Sequence, residues 1–186
     1  ERDYDYIVVA SYAGINESLK GSNVSKQEYQ YEVCEKIVIE IPDELKGIST
    51  VVMDGPFMSF DPLGKTGYAV MGHVDHAIHH WNIGEVAEVP DHIKPYLNKG
   101  IIPSADFSFS RGNLFLETGS EFMPMLEKSK HIGSMFTIRT VLPRVDASDT
   151  RPTIVNLVDQ KIITVYSGKI GNSVKAAQDV VSLIKK

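Results

Sequence analysis

Three groups of residues in this sequence have types and spacings that can do chemistry. The first is Arg139, Arg144 and Arg151, within residues 137–153. A guanidinium presents a rigid fork that holds a carboxylate through two parallel hydrogen bonds, which a lysine does not match. Arg144 and Arg151 flank Asp146 and Asp149, so the same residues also suit a solvated loop of weak ion pairs. The second group is His73, Asp75, His76, His79 and His80. On a helix His76 and His80 would share a face and suit zinc. The preceding Tyr68-Ala69-Val70-Met71 reads as strand, which sets those two rings about 13 Å apart at ~3.3 Å per residue. Strand-end or surface histidines are therefore expected there, and no metal ligand set is assigned.

The third group is Ser167-Gly168-Lys169-Ile170-Gly171-Asn172-Ser173. Gly168 and Gly171 allow a positive φ or a close backbone approach. Asn172 or Ser173 can cap the helix that follows, and Lys169 can neutralise negative charge on a ligand. Free N–H groups and the positive helix end suit an anionic or electron-rich group. The spacing is not that of a P-loop, and the chain contains no GxGxxG. A plain strand-to-helix turn with an exposed lysine fits the same residues.

Apolar spacing indicates the elements that must carry these groups. A buried strand is expected at 5–10, then a small-residue turn at 11–16 and a loop at 21–25. Alternation over 29–41 predicts a half-buried antiparallel strand that Pro42-Asp43 ends. Further strands are expected at 48–53, at 57–64 turning back through 68–76, at 136–141, and at 154–158 paired with 162–166 across Asp159-Gln160. Asp54-Gly55-Pro56 reads as a turn. Residues 91–98 suit a short helix, and 113–130 a longer one that Pro124 must kink or restart. Val174, Ala177, Val180, Val181 and Ile184 predict a terminal helix. Hairpins with few helices make this an α+β chain, with a mixed, largely antiparallel sheet and flanking helices. Cys34, mid-strand, reads as core packing.

At 186 residues the chain suits one domain, or one domain with an appended subdomain. Apolar content of 42% is enough for a sizeable core. A net charge of −5 without a basic cluster argues against a nucleic-acid partner. One cysteine excludes an internal disulfide and fits a reducing compartment. No apolar run approaches the ~20 residues of a membrane span, and no signal peptide is visible; a cytoplasmic location and no membrane partner are expected. A core strand that starts almost at Glu1 suggests a chain cut from something longer.

Several stretches resemble D-amino-acid-oxidase-like FAD-dependent oxidoreductases. Asp5-Tyr6-Ile7-Val8-Val9-Ala10-Ser11-Tyr12-Ala13-Gly14 resembles the strand and turn that precede the family's substrate domain. Val51-Val52-Met53-Asp54-Gly55-Pro56-Phe57 and Asp61-Pro62-Leu63-Gly64 are similar to hairpin strands of that domain. Leu142-Pro143-Arg144 with Asp149-Thr150-Arg151-Pro152-Thr153 resembles the Arg-Pro segment before the last hairpin, and Ser167-Gly168-Lys169-Ile170-Gly171 the closing flavin-contacting loop. The family's N-terminal βαβ unit and glycine fingerprint are missing. The resemblance thus implies the C-terminal portion of such an enzyme: residues 1–16 from the FAD domain, 17–160 a substrate domain, and 161–186 the returning strand, flavin loop and last helix.

On that resemblance the whole enzyme uses FAD and oxidises a small amine or amino-acid-like substrate by hydride transfer, while these 186 residues alone neither retain FAD nor act. Gly168, Lys169, Ile170 and Gly171 would lie at the flavin pyrimidine edge, with Ser11 and Gly14 near the cofactor. Lys169, with the helix end, would stabilise negative charge on the reduced ring as the catalytic group. Arg144 or Arg151 would anchor a substrate carboxylate. No general base is named. A non-enzymatic α+β binding module is the alternative, with a zinc hydrolase behind it; substrate identity, electron acceptor and oligomeric state stay open.

Overall fold

A computed structural model of the protein describes residues 3–53, 57–145 and 151–185. The turn expected at Asp54-Gly55-Pro56, and Asp146 and Asp149 of the arginine segment, lie outside the described residues. The described strands are β1 (Ile7–Val9), β2 (Tyr29–Glu40), β3 (Thr50–Val51), β4 (Met58–Pro62), β5 (Tyr68–His73), β6 (Ile78–Gly84), β7 (Ile102–Pro103), β8 (Lys130–Val141), β9 (Thr153–Leu157) and β10 (Ile162–Ser167). The α-helices are α1 (Ile15–Ser18), α2 (Gly112–Phe122) and α3 (Ser173–Ile184). Two sheets result. One has the order β1-β10-β9, parallel between β1 and β10 and antiparallel between β9 and β10. The other runs β3-β4-β5-β2-β8-β7, with β6 also paired to β2; its β3–β4, β4–β5, β2–β5 and β7–β8 ladders are antiparallel. The α+β class, with mixed but largely antiparallel sheets, is what the sequence predicts.

The chain divides into two compact units. The first comprises residues 1–32, 81–88 and 139–186, and the second 33–80 and 89–138, so β2, β6 and β8 contribute residues to both. In the first unit Val9, Ile15, Leu19, Tyr29, Tyr31, Ile163 and Tyr166 are buried. Tyr29 stacks on Tyr166 with ring centroids 5.3 Å apart. Buried Asn16 fastens α1: its Nδ2 donates to the carbonyls of Gln27 (2.7 Å) and Glu85 (2.8 Å), and its Oδ1 accepts from the Gln27 N–H (3.2 Å).

In the second unit Ile37, Ile39, Met58, Phe60, Met71, Phe115 and Leu126 form the main core. A second cluster gathers Val33, Ile93, Ile102 and Phe136 with Tyr96, Phe107 and Phe109 packed against them. Helix α2 stops at Phe122, and Pro124 restarts the chain as a 3-10 turn over Pro124–Lys128, as its missing N–H requires. Glycine is obligatory at 133, where a Cβ would lie 2.3 Å from the Ile102 carbonyl oxygen of the neighbouring strand.

The middle strand departs from expectation. β2 is not half-buried: Lys36 and Glu40 are its exposed residues, and Gln30, Glu32 and Glu35 are buried. Polar alternation read as a solvent face, but each of these groups has a partner. Gln30 Nε2 donates to Glu32 Oε1 (2.9 Å), and Arg139 Nε donates to Glu32 Oε2. Glu35 accepts from Ser110 Oγ and Ser134 Oγ (both 2.5 Å) and from the Arg111 N–H (3.0 Å), and bonds His79 Nε2 (2.8 Å). Arg111 is the N-cap of α2, so a buried carboxylate from another strand faces the positive helix end. Burial pushes the Glu35 carboxyl up, but the bonds from His79, Arg111, Ser110 and Ser134 outweigh it and hold it below the ordinary range.

Smaller differences have local causes. The strand expected through residue 76 ends at His73, and β6, hidden in a histidine-rich stretch, follows a four-residue turn. Residues 91–98 form a 3-10 turn at Lys94–Tyr96 in place of a helix, because Pro95 supplies no N–H. The 11–16 turn is a 3-10 turn at Tyr12–Gly14 leading into α1. Among the described residues no helix is long and apolar enough to cross a membrane.

Candidate functional site

Within the first unit, β10 ends at Ser167 and the chain passes through Gly168 and Lys169 into a 3-10 turn, Ile170–Asn172, and then α3. Neither Gly168 nor Gly171 has the positive φ that glycine permits. Gly168 serves instead for close approach, since a Cβ there would sit 3.1 Å from the Arg151 Cβ. Asn172 takes the N-cap position without a side-chain hydrogen bond. The apolar stripe of α3 is present but mostly uncovered: Ala176 is buried, whereas Val174 is 69% and Val181 45% exposed. Ala176, Ala177, Val180 and Val181 of α3 form one wall of a groove of about 760 Å³, and Val174 lies outside it. Val8 and Ala10 lie along it from the first strand, Val165 from β10, and Ser167, Gly168, Lys169, Ile170 and Ser173 from the turn.

The groove therefore brings together three of the predicted positions, Gly168, Lys169 and Ile170, with the end of β1. Lys169 and Ile170 are exposed. Ser11, Gly14 and Gly171 are not among its lining residues: Ser11 Oγ bonds Ser18 Oγ (2.9 Å), and the Gly14 N–H donates to the Ser11 carbonyl (2.9 Å). Tyr12 does line it, a residue that sequence reasoning passed over. The available signal was a bulky aromatic inside an otherwise small-residue turn.

The two candidate arginines have different surroundings. Arg144 has a left-handed backbone, φ 61°, and its Nη1 reaches Glu28 Oε2 at 3.5 Å with both side chains largely exposed. That is the weak surface pair the sequence allowed. Arg151 packs its stem on Gly168 and acts on Tyr166. Burial, with Tyr12, Tyr29 and Glu32 nearby, pushes the Tyr166 phenol up to about 12, and the Arg151 charge pulls the other way. Arg139 is committed to the Glu32 carboxylate.

The histidines of the second unit go to two places. His73 and His76 stack on each other with centroids 4.6 Å apart, and the Nε2 of each is buried without a hydrogen-bond partner. Burial first, then the His76 charge, lowers the His73 pKa. His79 joins the Glu35 cluster. Among the described residues no group of three or more His, Cys, Asp or Glu side chains is arranged to hold a metal ion.

No protein-family model matches the sequence, and no curated protein matches it. Solved structures do. Glycine oxidase from Geobacillus kaustophilus matches 97% of the chain with a TM-score of 0.58 at 13% identity. L-amino acid deaminase from Proteus vulgaris matches 92% with a TM-score of 0.54 at 14% identity. Iminodiacetate oxidase from Chelativorans sp. BNC1 matches 92% with a TM-score of 0.50 at 16% identity. The fold is shared with these enzymes. The chain spans 41%, 45% and 39% of their respective lengths, so it corresponds to less than half of each.

Proposed function

We propose that this chain is the C-terminal portion of a D-amino-acid-oxidase-like, FAD-dependent oxidoreductase that oxidises a small amine or amino acid. Residues 1–16 and 161–186 would belong to its FAD domain and 17–160 to its substrate domain. The observation that carries this reading is the single groove on which Gly168, Lys169 and Ile170 meet Val8 and Ala10, in a fold shared with two oxidases and a deaminase. The lone Cys34 is in keeping with a cytoplasmic location.

The residues fit the cofactor. Val8, Val165, Ala177, Val180 and Val181 give the groove apolar walls suited to a flat aromatic ring, and Lys169 and the start of α3 give it a polar end. When bound, FAD supplies the two-electron acceptor. Lys169 contributes positive charge at that end, where it favours electron density arriving on a ring edge. Ile170, almost wholly exposed, covers apolar ring surface and excludes water. Ser11, Gly14 and Gly171 act at one remove, holding the turns beside the groove. Arg151, whose stem rests on the turn, is the first candidate to anchor the substrate carboxylate, and Arg144, in a weak exposed pair with Glu28, the second.

The test is to purify the full-length protein that contains this chain, reconstitute it with FAD, and mix it anaerobically with glycine, other small amino acids and secondary amines. Bleaching of the visible flavin absorbance by at least one of them is expected. A protein that takes up no FAD, or whose flavin stays oxidised against the whole panel, would falsify the reading.

A further inference from the structure

His73 ends β5 and is 3% exposed. Its Nδ1 accepts the Asp75 N–H at 3.3 Å, and its carbonyl accepts the Ala77 N–H at 3.0 Å. A backbone amide only donates, so Nδ1 is the lone-pair nitrogen and the neutral ring carries its proton on Nε2. His73 therefore closes the turn to β6 as an acceptor, much as an Asn or Asp side chain bonds the amide two residues on. The turn is seated on α2. Phe115 lies against both rings, its centroid 6.2 Å from that of His73 and 6.0 Å from that of His76, and His76 stacks on His73. Arg111, at the N-cap of α2, donates from Nη1 to the carbonyls of His76 (3.3 Å) and Ile78 (2.8 Å). Asp75 and His76 in the turn and Glu121 on α2 act on the His73 charge. The other charges on neighbouring elements are Arg111 and, from β2, Lys36, whose ammonium group lies beside Gly72. β4 places uncharged Met58 opposite His73.

A second proton can enter His73 only at Nδ1, where it points at the Asp75 N–H, donor against donor. We propose that this turn is a proton-operated latch: proton uptake at His73 Nδ1 breaks the bond from Asp75 and releases residues 74–77 from α2, while the strands of the second unit stay paired. Two features favour a second state. The His73 Nε2–H is buried without an acceptor, which weakens the closed turn. Once the turn opens, the Asp75 carboxylate is an acceptor for the new Nδ1–H, so one residue offers His73 a bond in each state. Burial, then the His76 charge, hold the closed-state pKa of His73 down, against the pull of Asp75 and Glu121. The open ring has no such restraint. The open population therefore grows by about tenfold per pH unit below the ordinary histidine value of about 6.5, and levels off at the lowered closed-state value. Above that range the latch is shut.

The experiment follows the full-length protein that contains this chain by amide hydrogen exchange between about pH 8 and pH 5, with rates corrected for the intrinsic pH dependence of exchange. The amides of Asp75 and Ala77 are expected to lose protection by about tenfold over the first pH unit below about 6.5, while those of β2 and β8 keep theirs. His73→Asn presents an oxygen to the same amide and does not titrate, so its turn should stay protected throughout. Should that variant fold poorly, the wild-type protein labelled on histidine nitrogen decides by NMR: the neutral His73 ring is expected to carry its proton on Nε2. Protection at Asp75 and Ala77 that does not change with pH overturns the proposal, and so does an Nδ1–H ring at neutral pH. A loss of equal size in His73→Asn assigns the transition to another group and overturns it too. Loss spread equally over β2 and β8 marks unfolding of the whole unit and has the same consequence.

Discussion

Replacing Glu35 by alanine should be among the most damaging single changes in the second unit. The carboxylate is wholly buried and is met by Ser110 Oγ and Ser134 Oγ at 2.5 Å, His79 Nε2 at 2.8 Å and the Arg111 N–H at 3.0 Å. Bonds to a charged group are worth about 1.5–3 kcal/mol each, but four cannot be summed, because removing the carboxylate also removes its own desolvation cost. Breaking a buried charged cluster by deleting one member costs about 3–5 kcal/mol. At about 2–4 °C per kcal/mol for a chain of this size, Tm should fall by roughly 6–20 °C. Thermal and urea unfolding of the purified chain measure this, and Glu35→Gln, which keeps the volume without the charge, should fall between. The pH dependence supplies the second check. The carboxyl is held below its ordinary value, so its contribution is complete above the unfolded pKa of about 4.3 and is lost as pH falls through the folded one. The stability gap between wild type and Glu35→Gln should hold from neutrality to about pH 5 and shrink below about pH 4. A loss of less than about 2 °C in Glu35→Ala, well under the range above, would refute the reasoning; so would a gap that persists into strong acid.

If the proposed oxidoreductase reading holds, Arg151→Ala in the full-length protein should weaken binding of a carboxylate substrate by tenfold or more, roughly the loss of a charge-assisted bond, whereas Arg144→Ala should change KM less than about twofold, as befits an exposed pair; equal effects would count against the choice of Arg151. Lys169→Ala should slow flavin reduction by roughly tenfold with little change in FAD affinity, and an unaltered stopped-flow reduction rate would remove Lys169 from the chemistry. His73 is buried and its pKa is lowered, so it stays neutral in the fold while the unfolded chain takes up a proton. Its stabilising effect is present above about pH 6.5 and is lost as pH falls; in His73→Phe the fall in stability just below that pH should flatten, and an identical pH profile would show that another group is responsible.

The hairpins, the terminal strand-turn-helix and the restart at Pro124 were legible because each rests on local chemistry: an apolar period, a turn pair, a missing N–H. What was not legible depends on partners distant in sequence. Gln30, Glu32 and Glu35 looked like a solvent face because polar residues on a strand normally form one; Arg139, Ser110 and Ser134, which bond Glu32 and Glu35, lie 75 or more residues away. The strand at Ile78–Gly84 was masked by histidines that prompt metal chemistry before strand pairing. Of the groove, the turn residues were anticipated, but Tyr12 was not, since a left-handed tyrosine makes sense only beside the Thr140 peptide that holds it.

The two units differ in how they treat their own surfaces, and that difference bears on function. The second surrounds its buried carboxylate: two serines, a histidine and a backbone N–H meet Glu35 around the start of α2, and its apolar residues form two clusters. The first leaves a helix face open. Ile170, Val174 and Val181 are each at least 45% exposed, and full burial of such a side chain is worth about 1.5–3 kcal/mol. Covering even part of that surface yields several kcal/mol, an appreciable share of the ~5–15 kcal/mol that separates a typical folded domain from its unfolded chain. Isolated exposed valines such as Val174 need no explanation, but Ile170 and Val181 line one groove with Val8, Val165 and Val180, and a grouped apolar set does need one. The turn at 167–170 adds what a purely structural neighbour would not require: a lysine at the end of an apolar slot, next to a glycine over which an arginine is folded. An apolar cover alone accounts for Val174 and Val181. On the proposed reading, the cationic end serves a flat ligand with an electron-accepting edge.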